Sequence, residues 1–248
     1  MIFSLITAGG IGERMHANDI PKQFLLISGK PIIVYTLEKF DQCPLIDQII
    51  IVCLKGYIEK LWGFVKQYHI AKVVAIVEGG KTRQGSIYNG LLEIRKRVVN
   101  PAKDLVLLND AVRPVVSEKL IEDNIATAEK FGAAITVAKL IETAMIVEDG
   151  TVKEVEYRPS CRLARAPQTF AFQTIFDVYD RAEKEGKDDF LDSESMLLHY
   201  GVHPHVVECD EANFKITTHI DYVIFRSFLE AVEDSQFLDR IGDNYGKK

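Results

Sequence analysis

The chain has 248 residues, 47% hydrophobic and 27% charged, which is enough apolar material for one large α/β domain or two small ones. Its formal net charge of −6 excludes the broad basic footprint of a nucleic-acid or anionic-membrane binder, so any phosphate must be held by a few placed cations. Cys43, Cys53, Cys161 and Cys209 form no C-x-x-C pair, which argues against a zinc knuckle or disulfide framework and for reduced thiols in a cytoplasm. The apolar start is too short and lacks the basic residues of a signal peptide, and no later run approaches the length of a membrane span.

Short β-branched runs alternate with amphipathic stretches. The spacing predicts strands at residues 3–6, 48–54, 73–77, 104–108 and 133–138, separated by helices at 32–40, 57–68, 83–97 and 118–131. Such alternation predicts an α/β fold, a Rossmann-like and mostly parallel sheet with helices on both faces. Ligands of such sheets sit beyond the carboxyl ends of the strands, so the loops after Ile6, Val77 and Leu108 are the places to look. The pattern then changes. Residues 142–156 alternate around Glu148-Asp149-Gly150, a hairpin signal long enough to project as an arm over about 142–158. Helices near 173–185 and 192–200, a strand near 205–207 and a helix near 221–232 follow. Residues 233–248 lose apolar periodicity and read as a frayed tail. With no repeat and no Pro-, Gly- or Ser-rich linker, residues 1–232 form one domain.

The first strand runs straight into Thr7-Ala8-Gly9-Gly10-Ile11-Gly12-Glu13-Arg14-Met15. Glycines there let backbone N–H groups converge on phosphate oxygens. A dinucleotide fingerprint would need Gly or Ala where Met15 stands, and a P-loop ending in Gly80-Lys81-Thr82 would need glycine where Ala75 stands. Neither motif is present. Arg14 lies in the glycine loop, and Lys22 follows on the turn Pro21-Lys22-Gln23. Two cations beside a glycine loop suit a triphosphate under attack at its α-phosphorus, where negative charge builds up. By spacing alone, a surface turn with two solvated basic residues fits as well.

The string Ala8-Gly9-Gly10-x-Gly12-x-Arg14-Met15, followed by Pro21-Lys22-Gln23-Phe24, resembles the cytidylyltransferases that act on 2-C-methyl-D-erythritol 4-phosphate and ribitol 5-phosphate. Further blocks follow in that family's order: Gly79-Gly80-Lys81-Thr82-Arg83-Gln84-Gly85-Ser86, Asn109-Asp110-Ala111-Val112-Arg113-Pro114, Ala166-Pro167-Gln168-Thr169-Phe170 and Asn213-Phe214-Lys215-Ile216-Thr217. The likeness spans roughly residues 1 to 230. It implies a fold of the nucleotide-diphospho-sugar transferase type and a homodimer with an exchanged β-arm. It also implies CTP and a polyol phosphate as substrates, release of pyrophosphate, and Mg2+ or another divalent cation held mainly by the CTP phosphates.

Carried over position by position, the resemblance makes Arg14, Lys22 and Lys215 the catalytic cations. Ala8, Gly9, Gly10 and Gly12 fall in the triphosphate loop, Gly80 and Ser86 at the cytosine, and Arg83 among the nucleotide-binding positions. Asp110 sits near ribose and acceptor, and Arg113 and Asp192 on the acceptor side. Thr143 and Arg158 reach from the arm into a neighbouring subunit's site. Three positions depart from the family: Leu191 for threonine, Asn109 for histidine and Ala166 for threonine, all around the acceptor.

A phosphate monoester is already a nucleophile at neutral pH, its second pKa lying near about 6, so the lack of a Ser-His-Asp or Cys-His set fits this chemistry. The glycine loop and Pro21-Lys22-Gln23-Phe24-Leu25 look like the ribitol branch, which feeds cell-wall or capsule polymers. Gly79 to Gly90 looks more like the methylerythritol branch of isoprenoid synthesis. Two other readings stay open: a nucleotidyltransferase for another sugar phosphate, and a non-catalytic nucleotide-binding relative. His199, His203 and His205 are broken up by Gly201 and Pro204 and read as incidental rather than metal-binding.

Overall fold

The computed structural model describes residues 1–10 and 20–233. The chain runs through β1 (Ile2–Ala8), a short ribbon of β2 (Leu26–Ile27) and β3 (Lys30–Pro31), α1 (Ile32–Gln42), β4 (Gln48–Cys53), α2 (Ile58–Gln67), β5 (Val73–Glu78) and α3 (Arg83–Arg95). It continues with β6 (Leu105–Asp110), α4 (Glu118–Phe131), β7 (Ala133–Lys139), β8 (Met145–Glu148), β9 (Thr151–Val155) and β10 (Arg162–Ala171). The last elements are α5 (Phe172–Lys184), α6 (Ser193–His199), β11 (His205–Glu208) and α7 (His219–Glu233).

One seven-stranded sheet has the order β11-β7-β10-β6-β1-β4-β5. All neighbours are parallel except those of β10, which runs antiparallel to β6 and β7. The apolar spacing predicts no element at residues 162–171. Arg165, Pro167 and Gln168 interrupt its apolar alternation, and a proline inside a run argues against a central strand because it cannot donate to the ladder. The fold accommodates Pro167 with a register shift between Ala164 and Gln168.

Alternation along each strand divides the core. Ile6, Ile49, Ile51 and Leu107 meet Leu37 and Phe40 of α1, Leu61 of α2 and Ile121 of α4. On the opposite face Phe3, Leu5, Ile50 and Val106 meet Leu91 of α3, Ile175 and Tyr179 of α5, and Leu197 of α6. Each such large side chain, fully buried, contributes about 1.5–3 kcal/mol. Helix α3 lies especially close to β1: a Cβ on Gly90 would stand 2.4 Å from Leu5 Cδ1. A third cluster of Ile27, Ile32, Val112, Ile216 and Phe225 ties α7 and the segment before it to the loop after β6.

Strands β8 and β9 form the expected arm, closed by Asp149 and Gly150 at positive φ, and every residue of both strands is exposed. Of the tail expected at residues 233–248, Glu233 is the last residue of α7 and residues 234–248 lie outside the described residues.

Candidate active site

Strand β1 pairs with β4 on one side and β6 on the other, so the connections leave the sheet in opposite directions and a crevice opens at the carboxyl ends. A cleft of about 420 Å³ occupies this place. Its lining includes the end of β1 with Gly9 and Gly10, the loop before α3, and Lys22, Asp110 and Lys215.

At the first corner Pro21 precedes a 3-10 turn over Lys22–Phe24. Proline presets the backbone of that turn, and the Gln23 side chain, only 1% exposed, donates to the Ala8 carbonyl at 2.7 Å. Lys22 is thereby held next to the exit of β1. The expected contributions of Gly12 and Arg14 fall within residues 11–19, outside the described residues.

The second corner is the loop between β5 and α3. Gly80 N–H donates to Ser86 Oγ at 3.1 Å, and Ser86 Oγ donates to the Thr82 carbonyl at 2.9 Å. Thr82 caps α3 by accepting from Gly85 N–H at 3.0 Å. A Cβ on Gly80 would lie 2.6 Å from the carbonyl carbon of Gly85, so only glycine fits that bend. Gly9 faces the same hydroxyl, its virtual Cβ 3.6 Å from Ser86 Oγ. The two glycine corners thus meet at Ser86, with the N-terminus of α3, a favourable place for an anion, beside them.

The third corner is electrostatic. Asp110, at the end of β6 and 7% exposed, accepts from Lys215 Nζ at 2.9 Å and from Arg113 Nε at 2.9 Å. Burial pushes its carboxyl pKa up, but the charges of Lys215, Arg113 and Arg83 outweigh burial and hold it well below the usual carboxylate range. Arg113 also donates to the Asn213 carbonyl at 3.1 Å, and Ile216 N–H donates to the Val112 carbonyl at 2.9 Å. These bonds bring Lys215 back to β6 from a hundred residues away in sequence.

Ala8, Gly9, Gly10, Lys22, Gly80, Arg83, Ser86, Asp110 and Lys215 therefore line one cleft, and Arg113 braces it from within. Asp192 lies elsewhere: its carboxylate caps α6 by accepting from Ser195 N–H at 2.8 Å, in a small recess that it shares with Arg83, Tyr179 and Leu191. Leu191 is 87% exposed. Thr143 and Arg158 stand exposed at the base of the arm, where Arg158 donates to the Ile141 carbonyl at 3.0 Å; neither lines the cleft of its own chain. Gln23 and Asn213 sat inside quoted motifs without an assigned role, and Arg165 was missed, because nothing in the sequence pairs it with Asn213. His205 stacks on Phe131 with centroids 3.7 Å apart, and among the described residues no group of three or more His, Cys, Asp or Glu side chains could hold a metal.

A mostly parallel sheet with a glycine-lined, cation-rich cleft at its switch point defines an α/β nucleotidyltransferase-type fold. Solved structures share it: the 2-C-methyl-D-erythritol 4-phosphate cytidylyltransferase of Francisella tularensis matches with a TM-score of 0.75 and 32% identity, covering 91% of this chain and 99% of that one. The 4-diphosphocytidyl-2C-methyl-D-erythritol synthase of Anaerococcus prevotii matches with a TM-score of 0.76 and 28% identity, covering 92% and 96%. The ribitol-5-phosphate cytidylyltransferase of Vibrio parahaemolyticus is 38% identical over 237 residues, 95% of this chain and 99% of that protein. A 2-C-methyl-D-erythritol 4-phosphate cytidylyltransferase of Clostridium botulinum is 37% identical over 227 residues, 91% and 96%. The family described as IspD, 2-C-methyl-D-erythritol 4-phosphate cytidylyltransferase, matches residues 2–231, and the chain belongs to it.

Proposed function

We propose that this protein transfers CMP from CTP to ribitol 5-phosphate, forming CDP-ribitol and pyrophosphate. The observation that carries this reading is the meeting, in one cleft, of two glycine corners with Lys22, Lys215 and the ion-paired Asp110. A phosphate oxygen of the acceptor attacks the α-phosphorus of CTP. The new bond joins that oxygen to phosphorus while the bond to the bridging oxygen of the β-phosphate breaks, and pyrophosphate departs with the electron pair. The acceptor phosphate carries its own nucleophilic charge, so positioning and charge neutralisation suffice. Lys22 and Lys215 place positive charge at the cleft where the reacting phosphorus gains charge, and Arg14 is assigned the same task from its motif. Gly80 and Ser86 form the corner that takes the base.

Asp110 is the only carboxylate among the described residues that line the cleft. That fits a magnesium ion held mostly by substrate phosphates, with Asp110 as the protein's candidate ligand. Bound there, the ion would neutralise triphosphate charge. The ribitol acceptor is favoured by the Vibrio relative and by relatives of that same description in Streptococcus agalactiae, 35% identical over 95% of this chain. The family match favours 2-C-methyl-D-erythritol 4-phosphate as the second acceptor.

The arm supports assembly into a homodimer. Met145, Val147, Val152 and Val155 are each at least half exposed, an apolar surface that a second copy would cover. In that arrangement Thr143 and Arg158 would complete the neighbour's site. No helix among the described residues is long and apolar enough to cross a membrane.

Pyrophosphate release should be measured with each of the four nucleoside triphosphates against a panel of polyol phosphates, with and without magnesium. CTP with ribitol 5-phosphate should give the highest kcat/KM, and only with the metal. Preference for another base, or release that ignores the acceptor, would refute the assignment.

A further inference from the structure

Arg113 and Arg165 both donate to one oxygen, the carbonyl of Asn213, at 3.1 and 2.6 Å. Their donor nitrogens can be no farther apart than those two bonds laid end to end. Arg113 has its counterion in Asp110, whose second carboxylate oxygen is taken by Lys215. Arg165 is half-buried, and among the described residues no carboxylate lies within ion-pair distance of it. Burial and then the neighbouring Arg113 charge pull its pKa down, while Cys209 and the exposed Glu211 act the other way. A guanidinium fork has five N–H donors, and carbonyls satisfy it less well than an oxyanion does.

Strand order places this charge relative to the cleft. The glycine corners stand at the ends of β1 and β5, on one side of β6. Strand β10 lies on the other side, antiparallel, with Gln168 opposite Leu108. Arg165 is three residues earlier and is carried past the carboxyl end of β6, at the register shift that interrupts the pairing with β7. The glycine corners therefore lie above β1 and β5, while Arg165, though not itself among the residues lining the cleft, stands past β6 on the opposite side, the side left for the acceptor. Asn213, the shared hydrogen-bond acceptor, is two residues before Lys215.

We propose that Arg165 is a further substrate-binding residue, whose guanidinium grips the phosphate monoester of the polyol phosphate beside Lys215. This inference rests on the cytidylyl-transfer reading. Initial rates of pyrophosphate release should be measured for wild type, Arg165→Gln and Arg165→Lys, varying CTP and ribitol 5-phosphate separately, with melting curves for each protein. Loss of a charge-assisted fork should raise the acceptor KM on the order of 10- to 100-fold in the glutamine variant while the CTP KM stays within about twofold. Lysine keeps the charge without the fork and should give a smaller rise. An acceptor KM unchanged in both variants, or CTP and acceptor KM rising together, overturns the proposal. If the glutamine variant does not fold, the lysine variant decides: an unchanged acceptor KM overturns it. A wild type inert on the whole acceptor panel overturns the parent reading as well, whereas an active wild type indifferent to Arg165 overturns this inference alone.

Discussion

The side-chain amide of Gln23 reaches back to the carbonyl of Ala8, 2.7 Å away and buried from water, and so ties the turn that carries Lys22 to the last residue of β1. Ala8 and Gln23 both line the cleft. Gln23→Ala leaves a buried carbonyl unsatisfied, costing about 1–3 kcal/mol. For a chain of this size the melting temperature should fall roughly 2–4 °C per kcal/mol. Because Lys22 loses its anchor, kcat should fall further than a melting loss alone would suggest. Activity equal to wild type at a temperature where both proteins are folded would contradict this.

Asp110 balances two cations in a buried setting. Asp110→Asn removes the negative partner and leaves Arg113, 7% exposed, facing Lys215 with no counterion. Removing one partner of a buried pair is destabilising by roughly 3–5 kcal/mol. Thermal or urea unfolding of the variant should show a loss of that order. Asp110→Ala should be no milder. An unchanged midpoint would mean that the pair is solvated.

Gly80→Ala tests the base corner by sterics alone. Its Cβ would meet backbone at 2.6 Å from the Gly85 carbonyl carbon and 2.9 Å from Ser86 N, and backbone cannot swing aside as a long side chain does. The α3 N-terminus should shift and take Ser86 with it. The CTP KM should rise at least about tenfold, the equivalent of roughly 1.4 kcal/mol of binding, with a smaller effect on the acceptor KM. Equal effects on both substrates would place Gly80 away from the nucleotide.

The pH dependence follows from the ion pairs of Asp110. Burial would raise its pKa, but Lys215 and Arg113 hold the folded value well below the unfolded one of about 4. Its stabilisation is therefore fully present above about pH 4 and is lost only as pH falls through the depressed folded value. Between about pH 5 and 8 the wild-type and Asp110→Asn melting temperatures should move in parallel. The acid limb of kcat/KM should instead report the acceptor phosphate, falling about tenfold per pH unit below roughly 6. A melting gap that closes between pH 5 and 6 would contradict this.

The parallel half of the fold was legible because each buried strand is a compact β-branched run beside a 3.6-period helix. The strand expected at 48–54 and the helix expected at 57–68 are the plainest case. Strand β10 was not, since Pro167 and two arginines break its alternation, and its place is fixed by pairing with strands far away in sequence. Spacing alone left the first glycine corner no better supported than a solvated surface turn, and the corner at Gly80 came only from the family blocks. Contacts such as Gln23 with Ala8, or Arg113 and Arg165 with Asn213, were not legible, because a side chain's partner among distant carbonyls is set by tertiary packing. Asp192 shows the converse. Its motif pointed to the acceptor, while locally its carboxylate completes a capping box with Ser195, a use open to any aspartate before a helix.

In the proposed reaction, cations in the cleft lower the barrier at the α-phosphorus. The direct measurement is kcat for pyrophosphate release by Lys22→Ala at saturating CTP, ribitol 5-phosphate and magnesium, beside its melting curve. A fall on the order of 10²- to 10³-fold with an unchanged melting temperature is expected. A folded variant that turns over within a few-fold of wild type would contradict it.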